Sequence, residues 1–311
     1  MGLLFNQSKK QLSLLKVYFL GTGTSQGIPI IGSDHPVCKS ADTKDKRLRV
    51  SAWLSWDNHS FVFDCGPDFR QQMLVSNCQQ VDGILFTHEH ADHTAGIDDI
   101  RPFNFRQGPM PIYAHQRVIE NLKRRFDYVF ETVNRYPGAP SVSTFEVQNN
   151  RPFSVGNKTA IPINVMHGDL QVFGYRIDDF AYLTDVKTIE ESEIQKLKGL
   201  KVLVVNALRE EPHATHFNLQ EALDFITLVQ PEKAYLTHIS HHLGFHEEGA
   251  SGAIIVHKGT LINQNKAVLG SHFTYITLND GIIINSKDSQ VFSANFHMSG
   301  GTVINDGTIS I

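Results

Sequence analysis

Hydrophobic positions in the first part of the chain group into short runs of strand length separated by polar turns. The run LKVYFL at residues 15 to 20 and the pair SAWLSW and SFVFDCG read as strands, with a hairpin turn at Asp57 and Asn58. Further along, GILFTHEHADH is a buried strand that leads directly into a His-rich loop. The pattern predicts a strand-rich opening in which one strand ends in polar side chains.

The next part of the chain alternates strands with helices. Its segments are, in order, the helix QRVIENLKRRFDYVFETV, the strand pair FGYRIDDFAYLTD, the helix IEESEIQKLKG, the strand LKVLVVNA, the amphipathic helix NLQEALDFITLVQ and the strand KAYLTHIS. Asn218 followed three residues later by Glu221 predicts a capping pair at the start of the second amphipathic helix. This alternation favours an α/β (α+β) fold in which several strands end in potential ligands.

The composition changes near Glu248. The last 63 residues contain only six charged residues and read as short strands and turns. Two Asn-Asp-Gly triplets, at 279–281 and 305–307, predict hairpin turns and suggest a weak internal repeat. We therefore expect a larger domain over residues 1–248 and a β-rich C-terminal tail of unknown role over 249–311. The tail would supply a strand to the main fold, form a small β-unit, or present an unpaired edge that drives homodimer formation.

Composition and charge narrow the class of protein. The chain has 311 residues, of which 41% are hydrophobic, a net charge of −4 and three cysteines. This balance gives no basic excess for holding a nucleic-acid backbone, and three cysteines are too few for a disulfide framework. The start of the chain lacks a continuous apolar stretch of the secretory type, and no segment is apolar enough to span a bilayer. The sequence predicts a cytoplasmic protein with no membrane partner and no stable nucleic-acid partner.

The segment THEHADH carries the clearest chemistry. Within six residues, a buried strand delivers His88, His90, Asp92 and His93. Neutral imidazoles with a carboxylate are the ligands that zinc and similar ions prefer. The alternative is a solvated polar loop that happens to contain histidines. A metal site is favoured because the cluster follows a buried strand and further His and Asp residues follow later strands.

The spacing His88-x-His90-x-Asp92-His93 resembles the signature of the metallo-β-lactamase-fold hydrolases. The resemblance implies a four-layer αββα sandwich with the later ligands His167 in VMHGD, Asp185 in YLTD and His238 in YLTHIS. Two divalent ions, zinc or manganese, would then be bound by His88, His90 and His167, by Asp92, His93 and His238, and by Asp185 between them. The imidazole at His90 differs from the acidic residue of the flavo-diiron branch, which makes redox chemistry a poorer expectation.

Four segments narrow the resemblance further: GTGTSQGIP, FVFDCGPDFR, THEHADHTAGIDDIRPFN and THISHH. Together they look like the cyclic-phosphate phosphodiesterases of the carbon-phosphorus lyase pathway, a group close to the tRNA 3′-processing nucleases. The resemblance implies hydrolysis of a small cyclic phosphate or phosphodiester by a hydroxide that bridges the two metals. Asp92 would orient this nucleophile, and His216 in HATHFNLQEA would act as the general acid.

His216 and Asp64 each have an ordinary structural alternative to a role at the metal site. His216 also reads as a helix-start residue on a surface loop. Asp64, at the end of FVFD, would accept an imidazole N–H from a metal ligand, but a simple strand-capping Asp is an equal alternative.

Related phosphodiesterases carry an additional structural zinc after the first Gly-rich loop. Here, His35, Cys38 and His241 occupy the corresponding segments, and Ser33 stands where a further cysteine is expected. The set is one ligand short of a closed zinc site, so Asp34 or water would have to complete it. The alternative is a loop whose His and Cys bind no metal.

Other functions remain open at this point. One is a different hydrolase of the same fold, such as a tRNA 3′-processing nuclease, a glyoxalase-II-like thioesterase or a lactamase. No long basic insertion that would clamp RNA is evident in the sequence. A function from another class is a non-catalytic binding module in which metal ions only stabilise the loops.

Overall fold

The computed structural model describes residues 14–246 continuously. Beyond them it describes strands within residues 254–310, whose bounds are given below. The proposed domain boundary near Glu248 lies outside the described residues, so the division of the chain at that point stays a prediction.

The first sheet of the described residues has six strands in chain order. They are β1 (Lys16–Gly21), β2 (Ser51–Trp56), β3 (His59–Phe63), β4 (Gly83–Leu85), β5 (Met110–Ala114) and β6 (Val142–Glu146). The pairs β1–β2 and β2–β3 are antiparallel, and β3 to β6 run parallel. The predicted hairpin at Asp57 and Asn58 is confirmed, with Asp57 in the left-handed region at φ 47°.

The second sheet contains seven described strands. They are β7 (Phe153–Val155), β8 (Lys158–His167), β9 (Leu170–Ile177), β10 (Phe180–Tyr182), β11 (Thr188–Ile189), β12 (Val202–Asn206) and β13 (Lys233–Thr237). Their order is β11-β8-β9-β10-β12-β13, with β7 paired to β8. Strands β10, β12 and β13 run parallel, so their carboxyl ends meet at one edge of the sheet.

Helices cover the outer faces of the two sheets. Those described are α1 (Pro36–Lys39), α2 (Phe69–Ser76), α3 (Ala91–Thr94), α4 (Arg101–Gln107), α5 (Gln116–Arg125), α6 (Asp127–Phe130), α7 (Glu191–Gln195) and α8 (Leu219–Val229). Three short 3₁₀ turns accompany them at Thr43–Asp45, Ile97–Ile100 and His241–Leu243. The predicted capping pair at the start of α8 is confirmed, because Asn218 and Glu221 each accept the other's backbone N–H. No helix in the described part of the chain is both long and apolar enough to cross a bilayer.

Three apolar clusters hold the layers together. Between the sheets, the ring of Phe63 on β3 stacks on that of Tyr182 on β10, with ring centroids 4.5 Å apart. A second cluster packs α2, α4 and α5 on the first sheet, and a third packs α7 and α8 on the second. The arrangement confirms the predicted αββα sandwich, with its two sheets face to face and helices outside.

The described strands of the tail pair in parallel, contrary to the hairpin prediction. They are β14 (Ile254–Asn263), β15 (Val268–Gly270), β16 (Tyr275–Asn285), β17 (Gln290–Phe292), β18 (Asn295–Met298), β19 (Thr302–Asn305) and β20 (Thr308–Ser310). Ile254 lies opposite Ile276, and Ile282 lies opposite Thr302, so the chain returns to its own edge after about 20 residues. Parallel pairing with this period winds the tail into successive stacked coils.

The Asn-Asp-Gly triplets therefore do not mark two equivalent hairpins. The first triplet lies inside β16, where Asp280 and Gly281 pair with Lys258 and Gly259 of β14. Its apolar flanks continue the extended strand, and the partner strand lies on an earlier coil. Asn305 ends β19 opposite Asn285, and the rest of the second triplet lies outside the described residues. The two triplets thus occupy different positions of the coil, although the tail does have an internal period.

Candidate metal centre

The polar side chains of the site come from the ends of five strands. Asp64 directly follows β3, and His88 to His93 follow β4 and enter α3. His167 is the last residue of β8, Asp185 follows β10, and His238 directly follows β13. The two sheets therefore bring these strand ends together at one edge of the sandwich, a frequent place for binding sites in α/β proteins.

Three of these residues have an unusual backbone conformation. Asp64, Asp185 and His238 adopt φ values of 62°, 57° and 54°, which side chains other than glycine seldom accept. Each turns the chain sharply where a strand ends. Backbone strain of this kind is concentrated at functional sites because the surrounding structure has to hold it.

A close approach of two backbones supports the His-rich loop. A Cβ atom at Gly66 would lie only 2.0 Å from the carbonyl oxygen of Asp92, so only glycine fits there. Next to it, the backbone N–H of Cys65 donates to the carbonyl of His93. The segment after β3 is thus held directly against the loop.

Two carboxylates and two imidazoles form the middle of the site. His93 Nε2 lies 3.2 Å from Asp92 Oδ2 and 3.3 Å from Asp185 Oδ2. His238 Nε2 lies 3.3 Å from Asp185 Oδ1 and 3.7 Å from Asp92 Oδ2. The two oxygens of Asp185 therefore face different imidazoles, as a shared ligand between two ions would require.

The remaining imidazoles surround this arrangement. The ring of His88 lies 4.5 Å from that of His90, 4.2 Å from that of His93 and 5.8 Å from that of His167. The rings of His90 and His167 are 5.3 Å apart. All seven residues that the sequence suggested as ligands thus lie in one cluster.

The potential ligand atoms of the described residues form three sets, each with its atoms within 4.8 Å of one another. The sets are His88, His93 and Asp185, then Asp92, His93 and His238, and then His167, Asp185 and His216. His90 belongs to none of the sets, although its ring contacts those of His88 and His167. The set of Asp92, His93 and His238 is one of the two ligand groups expected from the resemblance, whereas His88, His90 and His167, expected at the other ion, do not form a set.

The residues fit a divalent metal. Among the described residues, His88 Nε2, His93 Nε2 and His238 Nε2 are buried ring nitrogens with no hydrogen-bond partner. Buried polar atoms are almost always hydrogen-bonded, so three such nitrogens beside two carboxylates call for a ligand. Nitrogen and oxygen donors together suit zinc, manganese and iron.

Asp64 lies behind the cluster and orients it. Its fully buried carboxylate accepts hydrogen bonds from His93 Nδ1 at 2.7 Å, from the Thr87 N–H at 2.8 Å and from Thr87 Oγ1 at 2.9 Å. Because His93 donates through Nδ1, the lone pair on Nε2 faces the other ligands. Asp64 therefore both caps the strand end and supports an imidazole, so the two expected roles coexist.

Neighbouring groups fix the orientation of two further imidazoles. His167 Nδ1 donates to the carbonyl of Thr215 at 2.7 Å, which turns its Nε2 toward the cluster. His88 Nδ1 lies 3.0 Å from Thr87 Oγ1. We did not predict roles for Thr87 or Thr215 from the sequence. Thr87 immediately precedes His88, but nothing else in the sequence distinguishes it from an ordinary strand residue.

The electrostatics of the site keep the carboxylate of Asp185 ionised. Burial alone would raise the pKa of Asp185, but His238 and His93 hold it well below its usual range. Burial and the nearby His93 lower the pKa of His88 well below its ordinary value. Ionised carboxylates and a neutral imidazole are the protonation states in which these side chains bind metal.

His93 has the opposite shift. Burial opposes its protonation, but Asp92 and Asp185 raise the pKa of its imidazole well above the ordinary value. The carboxylates of the cluster thus attract positive charge to the place where Nε2 of His93 points.

His216 lies inside the cluster. Its Nε2 is 2.9 Å from Asp185 Oδ1, and its ring stands 4.4 Å from that of His167 and 4.8 Å from that of His238. Burial lowers the pKa of His216 to about 4, against the opposing effect of Asp185. The alternative of a surface position is wrong, because the residue is buried two positions before the cap of α8.

The structure does not bring His35, Cys38 and His241 together as a three-ligand set within the described part of the chain. The rings of His35 and His241 are in contact, 4.7 Å apart. His35 Nδ1, however, accepts the Val37 N–H at the start of α1. Cys38 Sγ accepts the Ile30 N–H and is buried in a small apolar cluster. His241 Nδ1 is buried with no hydrogen-bond partner among the described residues, but its ligand atoms and those of His35 and Cys38 do not converge.

Comparisons with known proteins agree with the fold. Residues 59–239 match the family model described as the beta-lactamase superfamily domain. The chain is similar to the crystal structure of a diphosphatase from the PhnP family, with 35% identity and a TM-score of 0.68 over 74% of this chain and 88% of that one. It is similar in fold to Zn²⁺-bound PqqB from Methylobacterium extorquens, with 17% identity and a TM-score of 0.58 over 74% of this chain and 90% of that one.

One relative matches only in part. An octanoyltransferase of Porphyromonas gingivalis is 39% identical over 236 residues, which cover 75% of this chain. The chain spans 48% of the length of that protein, so about half of the relative has no counterpart in the match.

The family model matches residues 59–239, and the sandwich carries a His and Asp cluster at one edge. The chain therefore belongs to the metallo-β-lactamase-fold hydrolases of the beta-lactamase superfamily.

Proposed function

We propose that this protein hydrolyses a small phosphodiester with the help of two divalent ions, zinc or manganese. The observation that carries the proposal is the position of Asp185, whose two oxygens face His93 and His238 separately. The 35% identity to a diphosphatase of the PhnP family supports chemistry on a phosphoryl group. The net charge of −4 favours a small substrate over a nucleic acid.

The seven residues of the cluster would hold the two ions. They are His88, His90, Asp92, His93, His167, Asp185 and His238. Such ions, when bound, offset the negative charge of a phosphoryl group and make water a better nucleophile at neutral pH. A carboxylate between two cations reduces their mutual repulsion, which is the role proposed for Asp185.

Asp92 and His216 would act directly on the reactants. Asp92 Oδ2 points toward both His93 and His238, so this carboxylate can accept a hydrogen bond from the attacking water and orient it. His216 Nε2 points into the same space and can give its proton to the departing oxygen. An anionic phosphoryl group beside the ring raises its pKa and so favours the protonated form.

The test combines metal analysis with three substrates. The purified chain is stripped with a chelator, reloaded with zinc or manganese, and assayed on bis-(p-nitrophenyl) phosphate, a 2′,3′-cyclic nucleotide and an octanoyl thioester. We expect about two ions per chain and hydrolysis of the phosphodiesters only in the loaded protein. Hydrolysis of the thioester alone would show that phosphodiester chemistry is wrong. Full metal loading with no hydrolysis would favour the binding module.

A second candidate function is hydrolysis of an acyl thioester. It is favoured by the relative named octanoyltransferase, which shares 39% identity with this chain over 236 residues. Because the match covers less than half of that protein, the named activity can belong to its other part. The octanoyl thioester in the assay separates the two candidates directly.

A further inference from the structure

We propose that His213 is a positioning residue that holds the ring of His216 with Nε2 turned toward the reacting phosphoryl group. The proposal rests on the function proposed above and adds a residue that the metal cluster does not include. His213 lies three residues before His216 in the segment between β12 and α8.

The rings of His213 and His216 are in direct contact through their Nδ1 atoms. His213 Nδ1 lies 3.2 Å from His216 Nδ1. The hydroxyl of Thr215 stands beside both atoms, 3.3 Å from His213 Nδ1 and 3.1 Å from His216 Nδ1. His216 is thus held at both ring nitrogens, by this group at Nδ1 and by Asp185 at Nε2.

The backbone decides which atom accepts. The N–H of Thr215 points to His213 Nδ1 at 3.3 Å, and a backbone N–H can only donate. His213 Nδ1 is therefore an acceptor, with its own ring proton on Nε2. Burial and the nearby Arg209 lower the pKa of His213, which agrees with a neutral, accepting ring. The Thr215 hydroxyl and His213 Nδ1 thus stand together against the Nδ1 edge of the His216 ring.

The segment that carries the two rings is fixed at three further points. The carbonyl of Thr215 accepts from His167 Nδ1, and the N–H of Phe217 donates to the carbonyl of Val186 at 2.7 Å. The carbonyl of Phe217 accepts the N–H of Leu208 at 3.0 Å. Because these three bonds hold the backbone in addition to the Thr215 N–H bond to His213, loss of the His213 ring should free the His216 ring with little movement of its Cα atom.

The consequence depends on the leaving group. A sugar oxygen departs poorly and needs a proton, whereas p-nitrophenolate departs readily without one. A misdirected His216 ring therefore slows hydrolysis of a cyclic nucleotide and leaves hydrolysis of bis-(p-nitrophenyl) phosphate nearly unchanged. A merely structural defect slows both reactions together.

The experiment compares His213→Phe and His213→Asn with the wild-type protein on these two substrates, with the metal content of each protein measured. For His213→Phe, we expect a roughly 10- to 100-fold lower kcat on the cyclic nucleotide, the range that a small misplacement costs, with little change in KM. His213→Asn keeps an oxygen acceptor and should restore most of the rate. His213→Ala, which only removes atoms, is measured beside them and should follow His213→Phe.

His115→Phe is the matched control. His115 is half-buried and also accepts, through Nδ1, the backbone N–H two residues later at 3.1 Å, but it caps α5 away from His216. We expect this variant to keep the wild-type ratio of the two rates.

The outcomes separate the two proposals. If His216→Ala loses the cyclic nucleotide activity selectively and the His213 variants do not, the positioning role of His213 is wrong. An equal loss on both substrates in the His213 variants overturns it as well. If His216→Ala keeps the wild-type ratio of the two rates, the general-acid role of His216 in the proposed function is itself wrong.

Discussion

Two histidine clusters of this protein contain similar residue types but differ in what their ring nitrogens do. In the cluster around Asp185, the Nε2 atoms of His88, His93 and His238 are buried and have no hydrogen-bond partner among the described residues. In the cluster around His35, the Nδ1 atom of His35 caps a helix, the sulfur of Cys38 accepts a backbone N–H, and only His241 Nδ1 is buried without a partner among the described residues. The difference teaches that a metal site needs several unpartnered ligand atoms that face one another, as well as suitable residue types.

The clusters also differ in how they are supported. Asp64, Thr87 and Thr215 hold three imidazoles of the first cluster by the nitrogen that faces away from it. In the second cluster, the ring of His35 contacts His241 and His242 at 4.7 and 5.5 Å, with His35 half-exposed on its loop. Orientation by a second hydrogen bond is what raises the affinity of an imidazole for a metal.

The largest effect is expected from Asp185→Ala. Removal of this carboxylate takes away the ligand that faces both His93 and His238, so metal content should fall and hydrolysis should drop by more than the roughly 10²- to 10³-fold lost with a single electrostatic contact. Metal analysis and the phosphodiester assay measure the two effects. Asp179→Asn, which changes a half-exposed carboxylate paired with Lys201 in the turn after β9, is the control. Retention of both ions by Asp185→Ala would contradict the shared-ligand role.

Asp64→Asn should have a smaller effect on the same cluster. The amide keeps one acceptor oxygen but can present its NH₂ group to His93, which disturbs the orientation of that ring. We expect roughly 10- to 100-fold weaker metal binding, the usual consequence of losing such a partner. Competition titration with a chelating dye gives the affinity. An unchanged affinity would mean that Asp64 only caps the strand end.

Asn218→Ala tests the support of the segment that carries His216. The substitution removes the side chain that accepts the Glu221 N–H at the start of α8. We expect the free energy of unfolding to fall by about 1 kcal/mol, measured by urea denaturation, while metal content stays the same. A loss of metal here would show that the cluster depends on the helix start more than the contacts indicate.

No effect on metal content is expected in the second cluster. Cys38→Ala should leave the number of bound ions per chain unchanged, because its sulfur is engaged with Ile30 and apolar neighbours. The variant should lose roughly 0.5 to 2 kcal/mol of stability from the removed buried atom. A drop of one ion per chain, in a protein loaded with excess zinc, would establish the third site.

The larger domain was predictable because its signals are local. The alternation of strands and helices, the turn at Asp57 and the cap at Asn218 each depend on neighbouring residues, and the structure contains all three. The seven residues of the metal cluster were predicted from the family signature, and the two sheets bring them together at one edge. The resemblance supplied what periodicity alone could not, namely which distant strands bring His167, Asp185 and His238 to the same edge.

What the sequence did not predict depends on contacts between distant residues. Thr215 supports His167 through its carbonyl oxygen, an atom that every residue type has, so no residue type signals this role. The parallel pairing of the tail was missed for a related reason. A strand that pairs with a segment about 20 residues away has no turn residues at its pairing site, and the Asn-Asp-Gly at 279–281 suggested a turn where β16 continues.

The left-handed residues at the strand ends have a consequence for protein engineering. Each of Asp64, Asp185 and His238 imposes a backbone penalty of roughly 1 to 3 kcal/mol that glycine would not. Asp64 and Asp185 accept buried hydrogen bonds that glycine would leave unsatisfied, whereas neither ring nitrogen of His238 has a partner among the described residues. A library selected only for resistance to heat should therefore accumulate glycine at position 238, while a library selected for hydrolysis should retain the histidine. A difference between the two libraries would identify, without a bound ligand, a residue that lowers thermal stability but is needed for hydrolysis.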